Sequence, residues 1–195
     1  MARQAHYIKT LTQKNIKVIT TLYRCQYMRE KDILNVISKH RLNSMIKEKI
    51  IEKVYSIRAR SPKPLYTITK KGAVWGNKNI PEVRHSARYQ STTAVKHNLK
   101  LAEIHLAAMD KGAQWLTEKD LQNLFFQKIE QRADRNQILE HYYNHEISAT
   151  DGAAVYPTGE IELIEVVTSF YTSSEIASKE SFGEYMSADI QYTRA

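Results

Sequence analysis

The amino-acid sequence predicts an α+β fold divided between two domains. The first observation is length, because 195 residues suffice for two small hydrophobic cores. The second is order, since stretches with helical periodicity are followed in each half by short segments typical of strand pairs. The third is charge: residues 1–100 contain 22 Lys and Arg against 5 Asp and Glu, whereas residues 101–195 contain 7 against 16. The two halves therefore carry net charges of about +17 and −9.

The first half begins with three predicted helices, over residues 14–23, 27–37 and 40–50. In each of them apolar side chains recur every three or four positions, which is the spacing of one helix face. Glu30 and Asp32 fall in the first turn of the second helix, where the helix dipole favours acids. The residues expected to face the core are Ile16, Ile19, Leu22 and Tyr23, then Ile33, Leu34 and Ile37, and then Leu42, Met45 and Ile46.

A pair of strands is predicted directly after the helices. Residues 50–60 have the alternating pattern of a half-buried strand, and residues 64–69 supply a second one. The basic turn RARSPKP lies between them, and the segment LYTITKKG leads from the second strand into another helix. Three helices followed by a strand pair around a basic loop is the order of a winged helix-turn-helix, a DNA-binding module. We therefore expect residues 1–78 to form such a domain.

The second half is predicted to form a separate α/β domain over residues 96–195. Residues 79–95 have weak periodicity and include a proline, so they are interpreted as a linker. The elements of the domain are predicted as a helix at 94–112, a strand at 113–117, a helix at 118–131, a strand pair at 146–156 and 160–169, and a final helix at 173–190.

The third helix and the basic loop supply candidate contacts to double-stranded DNA. A helix in the major groove needs polar side chains on its exposed face, where Arg suits guanine and Asn suits adenine. Basic residues in the loop would meet phosphates or the minor groove. The alternative is that these residues are only the hydrated face of a small helix. The predicted DNA-binding residues are His40, Arg41, Asn43, Ser44, Lys47, Arg58, Arg60 and Lys63.

Acidic residues flank the predicted strand pair of the second half. Asp151 stands at the mouth of the first strand and Glu165 lies late in the second. This layout resembles that of PD-(D/E)xK nucleases, in which the two carboxylates grip a divalent metal. The resemblance implies a nuclease-like domain, and it implies that Glu103 on the preceding helix is a third ligand.

The sequence departs from the nuclease pattern at one position. Val167 occupies the place of the lysine that would stabilise the developing charge, two residues after Glu165. Lys179 on the final helix is either a replacement or an exposed helix lysine. We therefore expect Glu103, Asp151, Glu165 and Lys179 to be vestiges of a site, with no enzyme activity, no bound metal and no cofactor.

Further motifs give the chain a resemblance to the replication-relaxation family of plasmid and phage proteins. These motifs are His97-x-Leu99, Trp115 with Glu118 and Leu121, Asp151-Gly152, Glu165-Val166, Lys179 and Tyr185. The chain departs from the family pattern at Thr150, where proline is usual, and at Val167, where an acid is common. The resemblance implies an N-terminal winged helix, a nuclease-like C-terminal domain and an origin in a mobile genetic element.

We therefore expect a DNA-binding protein that acts in transcription regulation, or as an accessory factor in replication or relaxation. A metal-dependent endonuclease, and a basic half that docks an acidic protein, are the alternatives. The sequence leaves open a homodimer on paired half-sites and a replication or relaxation protein as a partner. Cys25 is the only cysteine and no apolar run approaches ~20 residues, so we expect a cytoplasmic protein without a disulfide or membrane span.

Overall fold

The computed structural model describes residues 10–55, 63–83 and 95–195, which form a mixed α and β structure. The chain divides into two compact units, Met1–Leu106 and Ala107–Ala195. The elements of the first unit are α1 (Gln13–Cys25), β1 (Met28–Arg29), α2 (Glu30–Leu34), α3 (Lys39–Lys47), β2 (Ile51–Tyr55), β3 (Pro64–Ile68), α4 (Lys70–Asn79), a 3-10 helix (Pro81–Val83) and most of α5 (Val95–Asp110).

Three helices of the first unit begin at a hydroxyl side chain. Thr12, Ser38 and Thr69 stand immediately before α1, α3 and α4, and each side-chain oxygen accepts a hydrogen bond from a backbone N–H three residues later. Such caps satisfy donors that a helix leaves unpaired at its start. The three predicted helices and the strand pair of the first half are thus confirmed as elements, with α1, α3 and β3 close to their predicted bounds. The strand β2 covers Ile51–Tyr55, and residues 56–60 of the predicted strand lie outside the described residues.

The second predicted helix is shorter than expected. Residues 28 and 29 form β1, which pairs antiparallel with β3, so α2 starts only at Glu30. Met28 is fully buried and lies opposite Tyr66 in the sheet. Its apolar side chain fits a helix stripe or a buried strand equally well, and sheet pairing decides between them. The sheet has the order β1-β3-β2.

The first part of α5 belongs to the first unit, so the units divide further along the chain than the predicted linker at 79–95. Buried polar contacts explain this. Oγ1 of Thr21 lies 3.0 Å from Nδ1 of His105, and the amide of Asn98 donates to Gln26 over 3.2 Å. Of the linker itself, residues 84–94 lie outside the described residues.

The second unit contains a four-stranded sheet with helices on it. Its elements are β4 (Gln114–Thr117), α6 (Glu118–Ile129), α7 (Arg135–Tyr143), β5 (Gly152–Val155), β6 (Ile161–Val167), α8 (Ser173–Met186) and β7 (Ile190–Arg194). The sheet order is β4-β5-β6-β7, in which the first two pairings are antiparallel and β6 runs parallel to β7. The helix α8 makes the crossover between these parallel strands, as parallel pairing requires.

The core of the second unit lies between the sheet and the helices α6, α7 and α8. Phe125 and Phe182 are fully buried there, with ring centroids 5.5 Å apart, and they meet Ala153 and Leu163 of the sheet. Burying one such aromatic side chain contributes about 2–3 kcal/mol to stability. The elements α7 and β7 were not predicted. No helix within residues 10–55, 63–83 and 95–195 has the length and apolar character needed to cross a bilayer.

Candidate functional site

The outward face of α3 carries polar and basic side chains. Lys39, His40, Asn43 and Lys47 are all exposed, and their spacing of three or four residues places Asn43 between the others along one side of the helix. Leu42 and Met45 on the opposite side are fully buried. The helix therefore presents a basic surface that runs along two to three turns of its length.

Two of the residues predicted for this face are placed differently. Ser44 is only 6% exposed, and its hydroxyl donates to the carbonyl of His40 over 3.0 Å. The prediction that Ser44 faces outward is therefore wrong, because a small hydroxyl can be buried when a backbone carbonyl of its own helix accepts its proton. Arg41 is half-buried, and its guanidinium donates to the carbonyl of Thr10 over 2.8 Å.

The position of α3 is fixed at its start by two contacts. Ser38 caps the first turn, and the ammonium of Lys39 pairs with the carboxylate of Glu30 at the start of α2. Among the predicted residues of the basic loop, Lys63 is exposed at the entrance to β3. Arg58 and Arg60 lie outside the described residues.

A second cluster of charged residues lies where the start of β5 meets the end of β6. The backbone N–H of Asp151 donates to Oε2 of Glu165 over 3.0 Å, and the N–H of Val166 donates to Oδ2 of Asp151 over 2.8 Å. The carboxylate of Glu165 thus accepts from the backbone before β5, and the carboxylate of Asp151 accepts from the backbone of β6. We call this reciprocal pair of hydrogen bonds the Asp151–Glu165 clasp. The structure therefore brings together two of the acids that the sequence pattern singled out.

Lys179 and Tyr171 complete the surroundings of the buried acid. Lys179 is 14% exposed, its ammonium lies 3.3 Å from Oε1 of Glu165, and it donates to the carbonyl of Ala149 over 2.6 Å. It is therefore not an exposed helix lysine. The hydroxyl of Tyr171 donates to the same carboxylate oxygen. Sequence reasoning missed Tyr171, which follows β6 in a loop without any motif.

Ionisation of Glu165 is disfavoured by its position. Complete burial is the largest effect and raises the pKa of this carboxyl, and the charge of Asp151 raises it further. Lys179, the Tyr171 hydroxyl and the backbone of Asp151 oppose the rise but do not cancel it. Burial and the hydrogen bond to Glu165 in turn raise the pKa of Tyr171. The cluster therefore holds one carboxyl group that takes up a proton more readily than usual.

Glu118 at the start of α6 belongs to the same electrostatic neighbourhood. Partial desolvation by the surrounding protein raises the pKa of Glu118 although the residue remains exposed; Lys179 acts against this rise and Asp151 adds to it. The sequence indicated Glu118 only as part of the Trp115-x-x-Glu118 motif, without a role in the site. That motif was the signal that could have placed it here.

Glu103 lies in the first unit and has partners of its own. Its carboxylate accepts hydrogen bonds from the side chains of Arg29 and Lys100. Burial alone would raise the pKa of Glu103, but these two cations outweigh it and hold the pKa below its ordinary value. The carboxylate is thus occupied by an ion-pair network within its unit.

The residues of the clasp do not fit a divalent cation in their present arrangement. Both oxygens of Glu165 already accept hydrogen bonds, from Asp151 and Tyr171, and the residue has no exposed surface. A cation would need several open oxygen ligands. Among the residues that the structure describes, no three or more His, Cys, Asp and Glu side chains are arranged to hold a metal ion.

Known proteins give no guide to the function of this chain, so the function has to be inferred from the geometry of its residues. No protein-family model, curated protein or solved structure matches this chain. The resemblance to replication-relaxation proteins is therefore an expectation from the short motifs around residues such as Trp115, Asp151 and Glu165.

Proposed function

We propose that this protein binds double-stranded DNA through an N-terminal winged helix-turn-helix. In this proposal α3 enters the major groove, where side chains of its outward face meet base edges, and the segment between β2 and β3 is the wing. The second unit is a nuclease-like domain that does not cleave DNA and serves assembly or a second contact.

The observation that carries the proposal is the outward face of α3. Asn43 and Lys47 are exposed one helical turn apart, with His40 on the same side, and the buried face of the helix is held by the core of its unit. A rigid helix that offers amide, imidazole and ammonium groups together suits the donor and acceptor pattern of the major groove.

Two further features support DNA as the partner. The elements follow one another as α1, β1, α2, α3, β2 and β3, and this order supports the proposal of a winged helix-turn-helix. The first hundred residues carry a net charge of about +17, and clustered cations are what neutralisation of phosphates needs. Together they favour DNA over an acidic protein, because α3 presents base-reading groups as well as charge.

The state of the acid cluster supports a role without cleavage for the second unit. The carboxylate of Glu165 is buried, hydrogen-bonded on both oxygens and paired with Lys179. Its bonds tie β5, β6 and α8 together, which is a structural use of the acids. We therefore place the protein in the replication-relaxation family as a proposal, with a role in transcription regulation or as an accessory to replication or relaxation in a plasmid or phage.

A mobility-shift titration tests DNA binding. Wild-type protein and the double variant Asn43→Ala/Lys47→Ala would be titrated onto a mixed-sequence duplex of about 30 base pairs at 50 mM salt. We expect the wild type to bind and the variant to bind several-fold more weakly, since it lacks one cation and one polar contact. Lys96→Ala, an exposed lysine on α5, is the control for loss of a charge. No binding by the wild type, or equal loss in the control, would contradict the proposal.

A metal-dependent endonuclease is the second candidate function, and one observation favours it. The ammonium of Lys179 lies 3.3 Å from Glu165, so a cation is present where Val167 cannot supply one. This candidate requires Glu165 to release its present hydrogen bonds. Incubation of a supercoiled plasmid with protein and Mg²⁺ or Mn²⁺ tests it, with Asp151→Ala and Lys179→Met as the controls. Cleavage by the wild type that both variants lose would establish the nuclease.

A further inference from the structure

The C-terminal end of α3 carries a lysine at a position that usually favours glycine. Lys49 has a φ of 58°, in the left-handed region. Its N–H donates to the carbonyl of Ile46 over 2.9 Å, and the N–H of Ile50 donates to that of Met45 over 3.0 Å. This pair of bonds is a Schellman motif, in which glycine is the common residue because other side chains are strained there. Lys49 thus places a charged side chain at a position where the left-handed backbone favours glycine.

The start of α4 packs directly on this turn. The N–H of Thr69 donates to the carbonyl of Ile50 over 3.0 Å, and its hydroxyl donates to that of Lys49 over 2.5 Å. Lys71 donates to the carbonyl of Glu48 over 3.0 Å. Gly72 allows this approach, since a Cβ added there would lie 2.0 Å from the carbonyl oxygen of Ile50. The end of α3 and the start of α4 are therefore locked together through their backbones.

The packing brings the backbones of three exposed lysines close together. Lys49 comes from the turn after α3, and Lys70 and Lys71 come from the first turn of α4. We call them the hairpin-base cluster, because β2 begins and β3 ends at this place. The cluster lies at the end of the strand pair where Ile51 meets Ile68, opposite the end where Tyr55 meets Pro64, and the five residues of β2 span about 16 Å. The length of β2 thus separates the cluster from the Tyr55 and Pro64 end of the strand pair.

We propose that the hairpin-base cluster binds phosphates of double-stranded DNA that neither α3 nor the wing contacts. This inference rests on the proposed DNA binding and adds a second surface to it. Lysine ammonium groups suit phosphate oxygens as point charges without a fixed geometry. Three of them on a rigid turn neutralise neighbouring phosphates without reordering the protein. The bound duplex is then held along a longer stretch than one recognition helix covers.

A salt titration measures the number of phosphates contacted. Affinities of the wild type, of Lys49→Gln/Lys70→Gln and of the control Lys78→Gln/Lys96→Gln would be measured between 50 and 200 mM salt on the mixed-sequence duplex. Lys78 and Lys96 are exposed lysines of the same unit outside the cluster. Each lost contact lowers the slope of log K against log salt by about 0.9, so the cluster variant should lose about 1.8. The ratio of its affinities at the two salt concentrations then falls about twelvefold, and the control keeps the wild-type slope.

A second comparison separates the lysine charge from its effect on folding. Lys49→Gly and Lys49→Gln both remove the charge, but only glycine relieves the left-handed backbone. We expect the glycine variant to unfold at the higher temperature and both variants to lose the same affinity, about threefold more at 50 mM than at 200 mM salt. A cluster variant with the wild-type slope, in a wild type that binds DNA, would overturn this inference alone and point to an acidic protein at this surface. Absence of DNA binding by the wild type would overturn both proposals.

Discussion

The ammonium of Lys179 on α8 lies 3.3 Å from Oε1 of Glu165 on β6, so a helix lysine neutralises an acid inside the sheet. Glu165 has no exposed surface and Lys179 has little. The same ammonium reaches the carbonyl of Ala149 over 2.6 Å. Removal of one partner from a buried pair leaves the other charge without compensation, which costs much more than the pair itself contributes.

The variant Lys179→Met is therefore expected to lower the free energy of unfolding by about 3 kcal/mol at pH 7. Methionine preserves the length of the side chain but leaves Glu165 without its cation. Urea denaturation followed by circular dichroism measures the loss. Lys119→Met, at an exposed position on α6, is the matched control and should change stability by less than about 0.5 kcal/mol. Equal effects of the two substitutions would contradict the structural role given to the pair.

Stability should depend on pH through Glu165. Burial, followed by the charge of Asp151, raises the pKa of this carboxyl above its ordinary value of 4.5. The folded protein then binds the proton more tightly than the unfolded chain, so the contribution of Glu165 is most favourable below pH 4.5 and declines as the pH rises through the folded-state pKa. Denaturation of the wild type and Glu165→Gln at several pH values from 4 to 8 measures this. The difference in stability between them should shift in favour of the glutamine variant as the pH rises. A difference independent of pH would contradict the raised pKa.

The periodic parts of the fold were predictable from the sequence, and the parts decided by pairing were not. The helix α1 has an apolar stripe and a threonine cap, so its position follows from local signals. Met28 could belong to a helix or a strand, and only its pairing with Tyr66 places it in β1. The strand β7 is short and pairs in parallel with β6, which a local pattern does not reveal. The helix α7 has one fully buried residue, Ile138, and thus almost no stripe.

The candidate sites show the same division. Asp151 and Glu165 were recognised because a strand pair brings its two ends together in a way that the chain order indicates. Lys179 lies fourteen residues after Glu165, so its approach depends on the crossover of α8, which spacing cannot predict. Ser44 was placed on the wrong side because a serine between polar neighbours gives no sign of which carbonyl its hydroxyl will reach. Chain order predicts contacts between adjacent elements, whereas tertiary packing decides the others.

The two glycines of α4 should respond in opposite ways to alanine. A Cβ at Gly72 would lie 2.0 Å from the carbonyl oxygen of Ile50, whereas a Cβ at Gly76 would meet Val83 and Ile19 at 3.6 and 3.7 Å. We expect Gly72→Ala to destabilise the protein by about 3 kcal/mol, because backbone must move. Gly76→Ala should stabilise it by about 0.5–1 kcal/mol through better helix propensity. Thermal unfolding of the two variants measures both effects, and a similar result for both would contradict the close approach of α4 to the turn after α3.

Substitutions at two neighbouring residues of α3 should have different effects on DNA affinity, because one side chain is exposed and the other is buried. Asn43 is exposed, so Asn43→Ala should cost about 1–3 kcal/mol of binding free energy on a duplex recovered by selection from a random-sequence pool. Ser44 is buried, so Ser44→Ala should leave that affinity within about twofold of the wild type, since its hydroxyl bonds only within the helix. Fluorescence anisotropy measures both affinities. A larger loss for Ser44→Ala than for Asn43→Ala would contradict the proposed orientation of α3 on DNA.

The Asp151–Glu165 clasp also has a consequence for how β5 and β6 find their alignment during folding. Gly152 pairs with Ile164, and the two acids stand next to this pair at the end of the ladder. A slip of one residue would turn Leu163 away from the core and break both hydrogen bonds of the clasp at once. The two carboxylates therefore favour this register, because a misaligned hairpin would lose both hydrogen bonds that join them across the strands.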